Sequence, residues 1–306
     1  MDKQRCVVLG GGGFIGTHLC DSLHRRGVTV RSFGRNQPLR EIKGVEWVKG
    51  DFTDEVAVAN AVGGCEVVYH LIHATTPATA NLEKVEDVQR SVVGTIKLLD
   101  LCVSLGVEKI IFVSSGGTVY GVNQNIPLSE EEPTAPISVY GTNKVTIENY
   151  LRVFYHVHGL EYYIARVSNP YGSLQNGLKN QGLIPTAARN IINDDSINIF
   201  GDGSNVRDYL YIDDLTDFLV KLLDYSGQQR VFNAGGGQGK SILEVINAIE
   251  LRLNKKARLR HLASRPFDVP SNVLSIDRAK NELDWFPRTS FDDGMDKTIE
   301  WLTQNL

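Results

Sequence analysis

Arg5-Cys6-Val7-Val8-Leu9-Gly10-Gly11-Gly12-Gly13-Phe14-Ile15-Gly16 is the stretch whose reading decides the fold. Arg5–Leu9 (RCVVL) is a short apolar run and reads as a buried strand. It enters four glycines, after which Gly13–Arg26 puts Phe14, Ile15, His18, Leu19 and Leu23 on one helical face. Gly10, Gly13 and Gly16 are in G-x-x-G-x-x-G register. Glycines at that spacing permit a tight turn and let a pyrophosphate approach the backbone, while the helix N-terminus faces its negative charge. Strand, glycine loop and helix together predict a dinucleotide site, with Gly10, Gly13, Phe14, Ile15 and Gly16 as its contacts.

The same rhythm continues outward. Val28–Phe33, Val45–Lys49, Glu66–His70, Lys109–Val113 and Glu161–Val167 read as further strands. Helices are expected at Asp54–Val62, within Leu82–Leu105 and at Val139–His158. Strands alternating with helices of this length imply right-handed crossovers and a parallel sheet. Strands apolar on both faces imply helices on both sides. The expected class is α/β: a doubly wound Rossmann-type parallel sheet with a smaller, mostly C-terminal α/β substrate domain. After Pro170 the pattern is less regular, with helices expected at Leu183–Ile192, Asp213–Leu223, Ser241–Leu253 and Ile276–Leu283, and strands at Ser196–Phe200 and Arg230–Asn233. Residues 1–170, with parts of 205–240, are assigned to the dinucleotide-binding domain, and 171–204 with 241–306 to the substrate domain. The ligand cleft should lie between them, beyond the carboxyl ends of the strands.

Composition agrees with an ordinary folded enzyme. The 306 residues are 42% apolar and 22% charged, enough for a sizeable core. Lysine plus arginine number 32 and aspartate plus glutamate 36, a net charge of −4 with no basic block, which argues against a general nucleic-acid binder. Cys6, Cys20, Cys65 and Cys102 show no metal-site spacing, and Cys6, Cys65 and Cys102 sit in apolar runs that suit buried free thiols. No histidine has the partners of a metal site. No signal peptide or membrane span is read, and a reducing cytoplasm is the expected location.

The second strand ends Ser32-Phe33-Gly34-Arg35. An acid there would grip the adenosine ribose 2′-hydroxyl and select NAD. A guanidinium pairs instead with a 2′-phosphate, so Arg35 favours NADP(H), or else stacks on adenine or points to water. Asp51, after the third strand, is placed to meet the adenine amino group, or is a solvated loop acid. Tyr140-Gly141-Thr142-Asn143-Lys144 is a Y-x-x-x-K, which on a helix puts both side chains on one face. An ammonium beside a phenol is expected to lower its pKa, and a phenolate can take the proton of a sugar hydroxyl while hydride leaves the same carbon. Ser115 and Thr118, at the end of the Lys109 strand, are the candidate hydroxyls that would steady the reacting oxygen, unless they only cap the strand end.

With these motifs assembled, the chain resembles the extended short-chain dehydrogenase/reductases of the NAD-dependent epimerase/dehydratase family, most of all the UDP-glucose 4-epimerases. The resemblance spans nearly the whole chain. It rests on the glycine loop, SSGGTVYG at 114–121, Tyr140 to Lys144, ARVSNPYG at 165–172, FGDGSNVRDYLYIDDL at 200–215, FNAGGG at 232–237 and RPFDVP at 265–270. It implies that Tyr140 is the base with Lys144 as its partner, and that Phe52 and Leu71 belong to the cofactor contacts. It implies that Asn169 and Arg207 meet the diphosphate of a UDP- or dTDP-sugar, and that Arg265 with Asp268 holds phosphate and nucleoside ribose. The residue corresponding to a C2-specificity position is Asn272, small enough to admit an N-acetyl group. The helices near 82–105 and 139–158 would form a homodimer, with Phe154 and Tyr155 either interface aromatics or core packing.

Four departures matter, the first being that the Thr of the usual T-G-x-x-G opening is Leu9 here. The family's usual catalytic Ser/Thr is Gly116, whose duty then passes to Ser115 or Thr118. The Asn before V-x-G-T is Ser91, and the Asp after the second strand is Gly34. A dehydratase would carry a carboxylate pair where Gly116-Gly117-Thr118 stands, which argues against that reaction. The leading expectation is a 4-epimerase interconverting UDP-hexoses or their N-acetyl forms through a 4-keto intermediate, retaining NAD. The alternative is an NAD(P)H-dependent reductase of a 4-keto-6-deoxy nucleotide sugar, which Arg35 and Ser91 favour.

Overall fold

The computed structural model describes residues 4–73, 75, 79–175 and 182–305. Its centre is a seven-stranded sheet. In chain order the first six strands are β1 (Arg5–Leu9), β2 (Thr29–Gly34), β3 (Glu46–Lys49), β4 (Val67–His70), β5 (Lys109–Ser115) and β6 (Glu161–Val167). The spatial order is β3-β2-β1-β4-β5-β6, with Val231–Ala234 added beyond β6. Every pairing is parallel, with Val8 opposite Ser32 and Tyr69, for example. The strand order reverses between β1 and β4, which opens the crevice where such sheets bind ligands.

Period-two alternation builds a core on each face. Cys6 and Val8 of β1, Ile111 and Val113 of β5, and Tyr163 and Ala165 of β6 face one side. Leu19 and Leu23 of α1 (Phe14–Arg25) cover that side together with Leu215, Phe218 and Leu222 of the helix Ile212–Asp224. Val7, Leu9, Ile110, Phe112 and Ile164 point the other way, onto Val58 and Val62 of α2 (Glu55–Val62), Leu98 and Cys102, and Ile147 and Leu151. Burying each such side chain contributes roughly 1.5–3 kcal/mol. All four cysteines are buried and free, and burial pushes the Cys6, Cys20 and Cys102 thiols up to about 12.

The smaller C-terminal part contains a second sheet, in which Val206–Tyr211 is flanked by Gly239–Ser241 and Ser271–Asn272 and also pairs with Asn169–Tyr171. Ser196–Phe200 pairs in parallel with Arg258–Leu262. Among the described residues no helix is long and apolar enough to cross a membrane.

The expected helices and strands recur within a residue or two; the short strands Asn169–Tyr171, Gly239–Ser241, Arg258–Leu262 and Ser271–Asn272 and the helical turn Gly116–Val119 are not among those expected, and three further differences stand out. The helix within 82–105 starts at Lys84 and ends at Ser104, and Val88–Val93 is wound as π-helix between two α-helical parts. Phe291–Asn305 is a helix not singled out in the sequence, its core face (Met295, Ile299, Leu302) being set at helical spacing but diluted by charged and amide neighbours. Val206–Tyr211 is a strand whose polar positions masked its period.

Candidate active site

At the carboxyl end of β1 the chain turns at Gly10, which takes φ +92°. The Gly10 amide donates to the Phe33 carbonyl at 2.8 Å and the Gly13 amide to the Gly10 carbonyl at 3.0 Å. Gly16 packs helix on strand so tightly that a Cβ would lie 2.2 Å from the Gly10 carbonyl oxygen. Gly13, the N-cap of α1, makes no side-chain cap and the first turn carries no acid, so neither offsets the positive end of the helix dipole. Phe14 and Ile15 open that first turn. This cradle suits the diphosphate of a dinucleotide. Leu71 lies beside it, its amide bonded to Leu9 and its Cβ facing Gly10.

The ends of β2 and β3 carry the residues expected at the adenosine end. Arg35 is exposed, with Nη1 3.9 Å from Asp51 Oδ2. Hydrogen bonds from the Thr53 amide and hydroxyl hold the Asp51 carboxyl below its ordinary value. The Phe52 ring is turned inward, stacked on His70 at 5.2 Å and lying over Gly94.

Tyr140 and Lys144 stand in the first turns of the helix Val139–His158, which Ser138 caps through its hydroxyl to the Gly141 amide. Lys144 Nζ donates to the Val113 carbonyl at 2.8 Å and sits 5.6 Å from the centre of the Tyr140 ring. Burial lowers the Lys144 ammonium to about 7. The expected lowering of the Tyr140 phenol is not found. Burial, and then the negative charge of Asp87, hold it above its ordinary value, while the Lys144 ammonium is engaged with Val113 and the Phe112 ring.

The strand end beneath them explains the missing serine. A Cβ on Gly116 would lie 2.5 Å from Leu274 Cδ1 and 3.0 Å from the Arg166 carbonyl, so Leu274 fills the space a Ser/Thr side chain needs. Ser115 precedes the short helix Gly116–Val119 without capping it. Thr118 keeps a buried hydroxyl with no partner among the described residues, and Ser114 is committed to Glu148. Tyr120 is a core residue that donates to Asn233 and accepts from Arg166.

The second sheet supplies the cationic side. Asn169 Nδ2 bonds the Asp208 carbonyl at 2.9 Å, and Arg207 lies on the adjacent strand. Arg207 is bonded to the Val206 carbonyl and pairs with no carboxylate among the described residues. Arg265 forms a two-pronged pair with Asp268 (2.8 and 3.1 Å) and stacks on Phe200. Asn272 is buried rather than lining open space: it pairs in register with Arg207, and its Nδ2 holds the Gly116 carbonyl at 3.0 Å. Phe154 likewise is a core residue, whereas Tyr155 is exposed.

Two features were not singled out in the sequence. Asp87, with Ser91 and Asn143 bonded to it, forms a buried polar cluster behind Tyr140. Arg166 and Glu148 form a buried ion pair at 2.7 Å under the strand end. The available signal was polar residues four apart on one helical face: Asp87, Ser91 and Thr95, and Lys144 and Glu148.

The model of the NAD dependent epimerase/dehydratase family matches residues 6–235. The chain belongs to that family. It is an NAD(P)-dependent enzyme acting on nucleotide sugars. A dTDP-4-dehydro-6-deoxyglucose reductase of Escherichia coli is 33% identical over 97% of both chains. Among solved structures, the UDP-glucose 4-epimerase of Thermotoga maritima, with UDP-glucose, superposes with a TM-score of 0.93 at 29% identity, covering 98% of this chain and 99% of that one. The UDP-glucose 4-epimerase of Thermus thermophilus, a complex with NAD, gives 0.92 at 27% identity over 99% and 100%.

Proposed function

We propose that this family member is a UDP-hexose 4-epimerase. The observation that carries this reading is the Tyr140–Lys144 pair at the end of β5, its lysine buried, with no carboxylate at Gly116-Gly117-Thr118, with Arg207 on the second sheet and with Arg265 in the loop that precedes Ser271–Asn272. Residues 1–170 with parts of 205–240 would bind the dinucleotide, and 171–204 with 241–306 the sugar nucleotide. The entry of Val231–Ala234 into the main sheet supports that division.

Bound NAD(P) would supply the hydride acceptor and donor at the sugar C4 and, when oxidised, a positive ring near the phenol. Tyr140 takes the proton of the C4 hydroxyl and returns it after the 4-keto sugar has turned over. Lys144 fixes the cofactor ribose and stabilises the phenolate once its ammonium is freed from Val113. Arg207 and Arg265 anchor the diphosphate, about which the sugar rotates. Thr118, with its unpartnered hydroxyl, is the better candidate than Ser115 for steadying the C4 oxygen.

Reduction of a 4-keto-6-deoxy sugar nucleotide is the second reading. The 33% identity to the E. coli reductase favours it, as does Arg35, which follows Gly34 where an acid would grip a ribose hydroxyl. A phenol held protonated also suits proton donation. Exposed Leu82, Val85, Val153 and Val157 support a homodimer through the helices near 82–105 and 139–158.

The test is to denature the purified protein, identify the released nucleotide by mass spectrometry, and assay UDP-galactose conversion without added cofactor. Retained NAD with conversion supports the epimerase. An empty site, with NADPH-dependent reduction of a 4-keto-6-deoxy sugar nucleotide that R35A weakens about tenfold or more relative to NADH, overturns it in favour of the reductase.

A further inference from the structure

Asp87 and His73 have no part in the proton transfer just described, yet both are buried beside Tyr140. Asp87 Oδ1 accepts from the Ser91 hydroxyl and Oδ2 from Asn143 Nδ2, each at 2.9 Å. His73 Nε2 lies 3.4 Å from Asp87 Oδ1, and the side chain is 6% exposed. The imidazole stands edge-on to the Tyr140 ring, with centroids 4.4 Å apart and planes at 64°. Neither ring nitrogen makes a hydrogen bond of good geometry among the described residues. Three parts of the chain converge here: His73 just after β4, the end of the α-helical turn Lys84–Asp87 where it passes into π-helical Val88–Val93, and the first turns of the Tyr140 helix. A π-helical turn re-aims the side chains around it and recurs at functional sites. Burying a carboxylate and an imidazole is costly unless their partners are held in place.

We propose that His73 is a positioning residue for Tyr140: the imidazole, aimed by Asp87, packs edge-on against the phenol and holds it in one orientation towards the reacting sugar hydroxyl. The proposal rests on Tyr140 being the proton-transfer group, which both functional readings share. Asp87, Lys144 and His70 are the titratable groups facing His73; Asp87, Lys144 and His73 face Tyr140, with Glu148 beyond Lys144. Burial, and then Lys144, lower His73 to about 4, so the ring is neutral at pH 7 and the charge of the pair resides on Asp87. D87N therefore removes a negative charge from beside the phenol while keeping its shape, and H73A removes the ring contact.

The experiment compares wild type, H73A, H73F, D87N and Y140F by steady-state kinetics across pH, with thermal midpoints measured alongside. H73A is expected to lower kcat about 10- to 100-fold with the KM for nucleotide sugar within about twofold. H73F, which keeps a ring edge but not the Asp87 contact, should fall between, and D87N should move the Tyr140 limb of the kcat profile to lower pH. NMR of the protein carrying ring-labelled tyrosine, assigned through Y140F, should show the Tyr140 resonance moving in H73A and H73F. Unchanged kcat and pH limbs in folded H73A and D87N, or in H73F and D87N should H73A not fold, overturn the proposal. So do losses that merely follow thermal stability, or an unmoved Tyr140 resonance. If Y140F keeps full turnover, the functional reading itself fails, whatever the His73 variants do.

Discussion

Replacing Gly116 with alanine adds one methyl group at the point where the family's hydroxyl would stand. In this chain that methyl meets Leu274 Cδ1 at 2.5 Å and the Arg166 carbonyl oxygen at 3.0 Å. Leu274 is fully buried, packed with Val119, Tyr120 and Leu128, and its amide is tied to Asp208, so it has little room to yield. Overpacking of this kind destabilises by about 1–3 kcal/mol. Against it stands the preference of a helical turn for alanine over glycine, about 0.5–1 kcal/mol. The net effect of G116A therefore ranges from about zero to a loss of about 2.5 kcal/mol. L274A alone empties a buried site and loses about 2–5 kcal/mol. In that background the methyl group enters the vacated space, so only the helical gain remains and G116A becomes stabilising. The four proteins form a double-mutant cycle, in which the propensity term cancels and a coupling of about 1–3 kcal/mol isolates the clash. Urea unfolding followed by circular dichroism measures it. If G116A has the same effect with and without Leu274, Leu274 does not occupy the site, and the explanation of the missing hydroxyl is wrong.

Lys144 gives a pH signature. Its folded-state value of about 7 lies below the ordinary 10.5, so between these values the unfolded chain binds more protons. Stability contributed through this group rises as pH increases through that window, and the full penalty applies below pH 7. The difference in unfolding free energy between wild type and K144M should therefore grow in favour of wild type from pH 7 to pH 10; a flat difference refutes the shift. E148A strands the buried Arg166 guanidinium and should lose about 3–5 kcal/mol by chemical denaturation, a loss below about 1 kcal/mol showing that water reaches the pair. If Arg207 anchors the diphosphate as proposed, R207A loses charge-assisted hydrogen bonds worth about 1.5–3 kcal/mol and raises the KM for UDP-sugar about 10- to 150-fold, and an unchanged KM would remove Arg207 from the site.

The parts of this protein that were legible in the sequence are those whose physics is local. β1, the glycine loop and α1 are continuous in the chain, and each glycine answers a backbone demand that can be stated without knowing the rest of the fold. Tyr140 and Lys144 are four residues apart on one helix, so their neighbourhood follows from helical geometry alone. The charge state of the phenol does not. It is set by burial and by Asp87, which is brought there through a helix more than fifty residues upstream, wound as π-helix next to the carboxylate. An expectation built on the nearest lysine gave the wrong sign because it omitted desolvation, which acts on Tyr140 and Lys144 alike and drives both towards their neutral forms. Gly116 carries the same lesson for packing. In the sequence it is a hydroxyl lost from a motif, but in the fold it is space ceded to Leu274, which arrives from the far end of the chain beside Asn272, whose amide in turn grips the Gly116 carbonyl. The strand end and the C-terminal part are thus one packed unit. Restoring a hydroxyl at 116 crowds Leu274 unless room is first made there, and any search for the residue that assumes its duty belongs among side chains with no partner among the described residues, Thr118 first among them.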